Sequence, residues 1–362
     1  MSWLPPTVVP VAACLPYVER VLPKSTGARG FVVNVAASTH PGEGILRGFL
    51  RHVGLSVVAA IGLAALLPAT ATGAPLPVSY DFNTGIIAEL TNPNGSLPGT
   101  NDWSCRPSAK HPDPVVLVHG GFASQQVNWG VYGPLLKNEG YCVYTLTYGA
   151  IPDAAWPLSA IGALAPLETG AAELSAFVDR VRSSTGADKV DIVSHSQGSL
   201  TSGYYVKFLG GDAVVANLVS LGGLWEGTGS GENTLGALQE QFGLPNVPSI
   251  PFCPACTQAV SGEPFIEKLN SGGSPYVPGV RYTNISTKYD ELVIPYTSGQ
   301  APGPPGTDVT NIVVQQGCAI DHTAHRGLAA TRRVAAFVLN TLDPLVVRTA
   351  PCAVVEPNSG VG

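Results

Sequence analysis

Across 362 residues, 19 lysines and arginines face 25 aspartates and glutamates, a formal net charge of -6, so no basic face is on offer to a phosphate backbone and nucleic-acid binding is excluded. Only 12% of the residues are charged and 45% are hydrophobic, which excludes a disordered chain, while 42 glycines and 32 prolines point to a loop-rich, exported protein with one large catalytic domain.

Residues 1–44 carry Pro5-Pro6, Pro23 and Pro41 without a clear period and read as an N-terminal extension, an over-extended reading frame ahead of the first functional segment. Arg47, Arg51 and His52 then precede the apolar run Val53 to Leu67, and Pro68-Ala69-Thr70-Ala71 follows at once. That is the layout of a secretory signal over residues 45–71, its apolar core of about fifteen residues being short for a membrane span. The catalytic domain is therefore placed at 72–362, with no stable membrane span once the signal is removed.

A Pro/Asn/Gly-rich lead-in from Pro75 to Pro107 gives way to Val115-Val116-Leu117-Val118, a continuous apolar run that predicts a strand covered on both faces. It ends in His119-Gly120-Gly121-Phe122. A helix around Leu135 and Leu136 and a strand from Tyr141 to Leu146 follow. Leu174, Phe177, Val178 and Val181 recur at helical spacing within Glu168 to Ser184, with Gly186 as the stop. Val190 to Val193 is the next buried strand. It runs into Ser194-His195-Ser196-Gln197-Gly198, where small residues stand two before and two after Ser196, as a sharp strand-to-helix turn requires. Val214 to Leu221, Val280 to Ile285 and Asn311 to Val314 predict three more strands, and Val334, Phe337, Val338 and Leu342 a final helix. Strands alternating with helices predict an α/β fold with a mostly parallel, doubly wound sheet. The one non-alternating stretch, 222–279, carries short helical pieces at Leu235 to Phe242 and Phe265 to Leu269 and reads as a cap and pocket-wall insertion.

Of seven cysteines, Cys14 lies in the extension. In an exported chain the other six should pair. Cys105 and Cys142 can join a loop to a neighbouring strand, Cys253-Pro-Ala-Cys256 favours a local disulfide because no second Cys/His pair accompanies it, and Cys318 and Cys352 would tie down the C-terminal tail. No metal site is expected.

An acyl-transfer serine needs a base, an acid to hold that base, and donors for the oxyanion. Ser196 is the candidate nucleophile. Downstream, Asp290 stands in the loop after the strand Val280 to Ile285, where such sheets carry their catalytic groups, with Glu291 as its rival. His322 and His325 are the histidines after the acid. Counting back from Val334 by helical turns puts His325 at or inside the start of the last helix, so His322, in the preceding loop, is expected to be the base. The backbone amides of Gly121 and Gln197 would meet the oxyanion.

The His119-Gly-Gly-Phe turn, the elbow at Ser196, the run Tyr204 to Gly211, the acid loop Thr287 to Val293 and Asp321-His322 together resemble secreted actinobacterial lipases of class 2. Asp290-Glu291, the Ile-Asp-His segment and the cysteine layout are also similar to the fungal lipase B type. The resemblance implies an α/β-hydrolase fold, the triad Ser196, Asp290 and His322, oxyanion donors Gly121 and Gln197, and disulfides Cys105–Cys142 and Cys318–Cys352. Ser194 stands where these lipases usually have Gly or Ala, and Ser199 where they commonly have a second Gly after the elbow. The expected activity is a cofactor-free, monomeric carboxylic-ester hydrolase acting on acylglycerols at a lipid–water interface. A short-chain esterase, a polyester hydrolase or an acyltransferase would use the same parts, and a non-catalytic lipid-binding protein is the rival from another class.

Overall fold

A computed structural model describes residues 74–229 and 253–362. The extension and signal read at 1–71 and the helical piece at Leu235 to Phe242 lie outside the described residues. Six strands form one sheet in the order β2-β1-β3-β4-β5-β6: β1 (Val115–Val118), β2 (Val143–Leu146), β3 (Val190–His195), β4 (Val215–Leu221), β5 (Arg281–Ser286) and β6 (Asp308–Val313). Every neighbouring pair is parallel, as the alternating pattern predicts.

The apolar runs are continuous because both faces are covered. On one face Val116, Val118 and Ile192 pack with Leu174, Val178 and Val181 of α4 (Leu167–Thr185) and Leu200 of α5 (Gly198–Phe208). On the other, Val115, Leu117 and Val193 pack with Leu135 and Leu136 of α3 (Tyr132–Asn138) and with Val334 and Val338 of α8 (Arg332–Leu342). Each side chain of this size contributes roughly 1.5–3 kcal/mol when fully buried. Gly186, at φ +74°, stops α4 in the left-handed conformation that favours glycine, and its amide donates to the Arg182 carbonyl.

Two differences from expectation stand out. The edge strand β6 starts at Asp308, three residues before the predicted Asn311, because Asp308 and Thr310 are polar and a solvent-facing edge needs no apolar run. More consequentially, the lead-in contains a helix, α1 (Asn83–Thr91). It lies hard against α2 (Gln125–Trp129): a Cβ on Gly85 would stand 2.3 Å from the Val127 carbonyl oxygen, and one on Gly130 would stand 2.4 Å from the Gly85 nitrogen. Glu89 adds a polar anchor, accepting from the Ser124 hydroxyl and Gln126 Nε2 at 2.8 and 3.0 Å.

The six described cysteines pair as Cys105–Cys142, Cys253–Cys256 and Cys318–Cys352. The C-terminal tail is held further by Arg333, whose guanidinium donates to the carbonyls of Val314, Gln316, Ala350 and Pro351. Two short helices, α6 (Pro254–Gln258) and α7 (Pro264–Leu269), occupy the described part of the expected insertion.

At the end of the sheet opposite the elbow, Asp191 is 3% exposed and its carboxylate accepts from Asn217 Nδ2 at 2.6 Å. Burial pushes the Asp191 carboxyl up to about 7; the Asn217 hydrogen bond and the Arg281 charge oppose the shift, and Asp113 adds to it. The folded state therefore holds this proton more tightly than the unfolded chain, so the stability it contributes is full below the ordinary carboxylate value of 3.8 and is lost as pH rises through about 7. Asp191→Asn keeps the acceptor for Asn217 and removes the ionisation. It is expected to melt several degrees above the parent at pH 8 and level with it near pH 4 in paired thermal scans. Coincident melting at both pH values would show that Asp191 does not carry this linkage.

Candidate active site

The chain runs from β1 outward to β2, then returns to β3 on the other side and continues to β6, so the direction of winding reverses between β1 and β3. Ligands in doubly wound sheets bind at the carboxyl ends of strands beside such a reversal. Val118 is in register with Ser194 there, so the loop after β1 and the elbow after β3 are neighbours.

Ser196 occupies the turn with φ +54°, a left-handed conformation that costs a non-glycine residue of order 1–3 kcal/mol and is held by its surroundings. Its amide donates to the Leu221 carbonyl at 2.8 Å. Gly198 has no substitute: a Cβ there would lie 2.6 Å from the carbonyl oxygens of both Val118 and His119. Ser194 is tolerated because its hydroxyl donates to the Val219 carbonyl at 3.2 Å, and Ser199 because its hydroxyl donates to the Ser196 carbonyl. Both departures from the usual small-residue pattern are thus absorbed by local hydrogen bonds.

The turn after β1 is fixed from beneath. His119 is fully buried; its Nδ1 donates to the Gly120 carbonyl at 2.8 Å, its Nε2 accepts from the Tyr148 amide at 3.3 Å, and burial pushes it down to about 4, so it is neutral. Gly120 N–H donates to Asn128 Oδ1 at 3.1 Å. Among the described residues, the amides of Gly121 and Gln197 donate to no protein acceptor. Gln197 is anchored by its own side chain, Nε2 donating to the Ala163 carbonyl at 2.8 Å.

The acid and base loops do not meet as the sequence suggests. Asp290 accepts from the amides of Leu292 and Val293 at 3.1 and 2.7 Å, and both of its oxygens lie within 2.9 Å of Nδ1 of His325. Both side chains are nearly inaccessible, 2% for His325 and 1% for Asp290. Burial alone would lower the His325 pKa, but the charge and hydrogen bond of Asp290, with the charge of Glu291, outweigh it and leave it raised. Glu291 makes no hydrogen bond to the His325 ring; its carboxylate accepts from the His325 amide at 3.0 Å and holds the loop. A bridge between Tyr289 and Ala324 adds another stitch between the two loops.

His322, expected as the base, is exposed and packs edge-on against Tyr289 at 5.3 Å, away from Asp290. The reason is local. Asp321 is completely buried and accepts from the Thr323 amide at 2.9 Å, so the loop folds back on itself, turning His322 outward and carrying His325 inward. The last helix also starts later than the count from Val334 implies. Thr331 caps it, and a separate 3₁₀ turn, Arg326–Ala329, lies between, so His325 stands ahead of the helix.

His325 Nε2 is buried without a protein partner. His325 and Ser196 line the same cavity of about 340 Å³. Its walls are mostly apolar: Phe82 and Ile86 beside and on α1, Ala160 and Ile161, Leu224 and Ala259 from the insertion, and Leu292 and Val293 from the acid loop. The α1 wall was missed because Pro, Asn and Gly dominate its segment, although Phe82, Ile86 and Leu90 at four-residue spacing carry a short helical signal. His195, fully buried and pushed down to about 3 chiefly by burial, bridges Asn128 Oδ1 and the His325 carbonyl with its ring nitrogens at 2.9 and 3.1 Å.

Among solved structures, lipase B of Aspergillus fumigatus is 20% identical with a TM-score of 0.48, covering 71% of this chain and 60% of that one. The chain thus spans well under two thirds of the fungal protein's length. A gene product of Listeria innocua is 13% identical (TM-score 0.44; 66% of this chain, 96% of that one), and the mature form of a Bacillus licheniformis lipase is 14% identical (TM-score 0.43; 67% and 95%). The family model described as lipase (class 2) matches residues 112–333, which spans the turn after β1, the elbow, the acid loop and His325. With a parallel, doubly wound sheet carrying these residues, the chain belongs to the class 2 lipases.

Proposed function

We propose that this protein is an exported triacylglycerol lipase working through an acyl-enzyme on Ser196, with His325 as base and Asp290 as the acid that orients it. The observation that carries the reading is the buried Asp290–His325 pair, its Nε2 unpartnered, in an apolar cavity shared with the elbow serine. Ser196 Oγ attacks the ester carbonyl as its proton passes to His325 Nε2, and the oxyanion takes the Gly121 and Gln197 amides. His325 returns the proton to the departing glycerol oxygen. Water, deprotonated by the same Nε2, then releases the fatty acid and restores Ser196. Asp290 keeps Nδ1 as a donor and offsets the charge of the imidazolium throughout.

Action at a lipid surface is supported by exposed apolar side chains within two residues of cavity-lining ones: Ile87 on α1 at 59%, Leu158 at 52% and Ile294 at 46% exposed. Export by the segment 45–71, with 72–362 as the mature catalytic domain acting as a monomer, is part of the same proposal. Three disulfides suit an oxidising compartment.

The test is hydrolysis of emulsified triacylglycerols of graded chain length beside soluble short-chain esters. Release of fatty acid from the emulsions is expected, rising as the substrate passes its solubility limit. Activity confined to dissolved short esters would make the protein an esterase instead.

A further inference from the structure

Arg326 follows the proposed base directly and lines the same cavity. Among the described residues it is the single permanently charged one there, and no carboxylate lines that wall. Its Nε is buried without a partner, and among the described residues its terminal nitrogens donate to no acceptor. Asp290 and Glu291 are engaged with the side chain and amide of His325, and no described carboxylate makes an ion pair with Arg326. The Phe82 ring lies 5.4 Å from its guanidinium carbon.

This is not how the chain treats its other half-buried or buried arginines. Arg333 donates to four carbonyls, and Arg348 pairs with Glu139 at 2.6 Å. A guanidinium left with a buried, unpaired donor in an apolar cavity is costly unless something brought into that cavity satisfies it. Its planar fork matches the oxygens of a phosphate or carboxylate.

We infer that Arg326 is a specificity residue that receives an anionic oxygen group of the substrate itself, so that the enzyme accepts acylglycerols carrying a phosphate or carboxylate near the scissile ester. This rests on the ester-hydrolase reading and adds a substrate class to it. Placed one residue from His325 and beside Phe82, the guanidinium would hold the anion at the α1 end of the cavity while the ester carbonyl lies at Ser196. The apolar remainder of the cavity stays free for an acyl chain.

The test compares dioctanoylglycerol with dioctanoylglycerol 3-phosphate in neutral-detergent mixed micelles, for the parent, Arg326→Gln and Arg326→Lys. The parent is expected to favour the phosphate-bearing ester in kcat/KM by about tenfold or more, the range of a charge-assisted hydrogen-bond pair. That ratio should fall to about one in Arg326→Gln and stay intermediate in Arg326→Lys. A parent ratio near one, or a preference unchanged in Arg326→Gln, overturns the inference. Inorganic phosphate is the second arm: if it inhibits hydrolysis of the neutral diester in the parent and the paired esters show no preference, the site takes a free anion and the substrate assignment is wrong.

Binding read without turnover separates this from the hydrolase reading. Ser196→Ala protein is expected to bind dodecyl phosphate at least about tenfold more tightly than dodecanol by calorimetry. Equal affinity would sink the inference whatever the activity. If neither ester is hydrolysed by the parent, the hydrolase reading fails by itself, and the calorimetric comparison still decides Arg326.

Discussion

Replacing His325 by alanine is expected to lower kcat/KM for ester hydrolysis by at least about three orders of magnitude, while His322→Ala stays near the parent. His325 Nδ1 is within 2.8 Å of the Asp290 carboxylate, and its other nitrogen is the buried, unpartnered one in the cavity. His322 lies at the surface against Tyr289, where its loss opens no cavity. The same pair sets the acid side of the pH profile. A base must be unprotonated to accept the serine proton, and the Asp290 interaction outweighs burial to raise His325, so activity should fall as pH drops through a midpoint above the ordinary histidine value of 6.5. Steady-state kinetics of the two alanine variants, with a pH profile of the parent, check this. Survival of activity in His325→Ala with loss in His322→Ala would reverse the assignment and leave Ser196 untouched.

Ser196→Ala should cost as much as His325→Ala, and the double variant should be barely worse than either, because nucleophile and base act as one unit. The residual rate would come from binding and the oxyanion amides. The fold should survive, since Ser196 is partly exposed at the turn and no protein group depends on its hydroxyl; alanine even keeps the same backbone strain at φ +54°. A cooperative melt near that of the parent, together with loss of the covalent adduct formed with an alkyl phosphonate fluoride, is the expected pair of results. An adduct that persists in Ser196→Ala, or an activity above about a tenth of the parent, would place the nucleophile elsewhere.

The chain by itself determines the sheet and the elbow. Val115 to Val118 and Val190 to Val193 are apolar throughout, and only a strand buried on both faces tolerates that; a parallel sheet sandwiched by helices follows. Gly198 and the small Ser194 around Ser196 carry the steric demand of the sharp turn, and both belong to local geometry that five residues can encode. The Cys253–Cys256 disulfide was legible from its spacing, whereas Cys105–Cys142 and Cys318–Cys352, 37 and 34 residues apart, were implied by the family resemblance. The tertiary structure alone decided which histidine meets Asp290. His322 and His325 are three residues apart, and the choice depends on buried Asp321 folding its loop back and on a 3₁₀ turn delaying the last helix, contacts that no periodicity records. It alone decided, too, that α1 forms a cavity wall, because Gly85 and Gly130 let two helices approach across residues that are distant in sequence. Side chains that act on a neighbour in sequence leave a pattern in it, whereas those that act across the fold are chosen by packing.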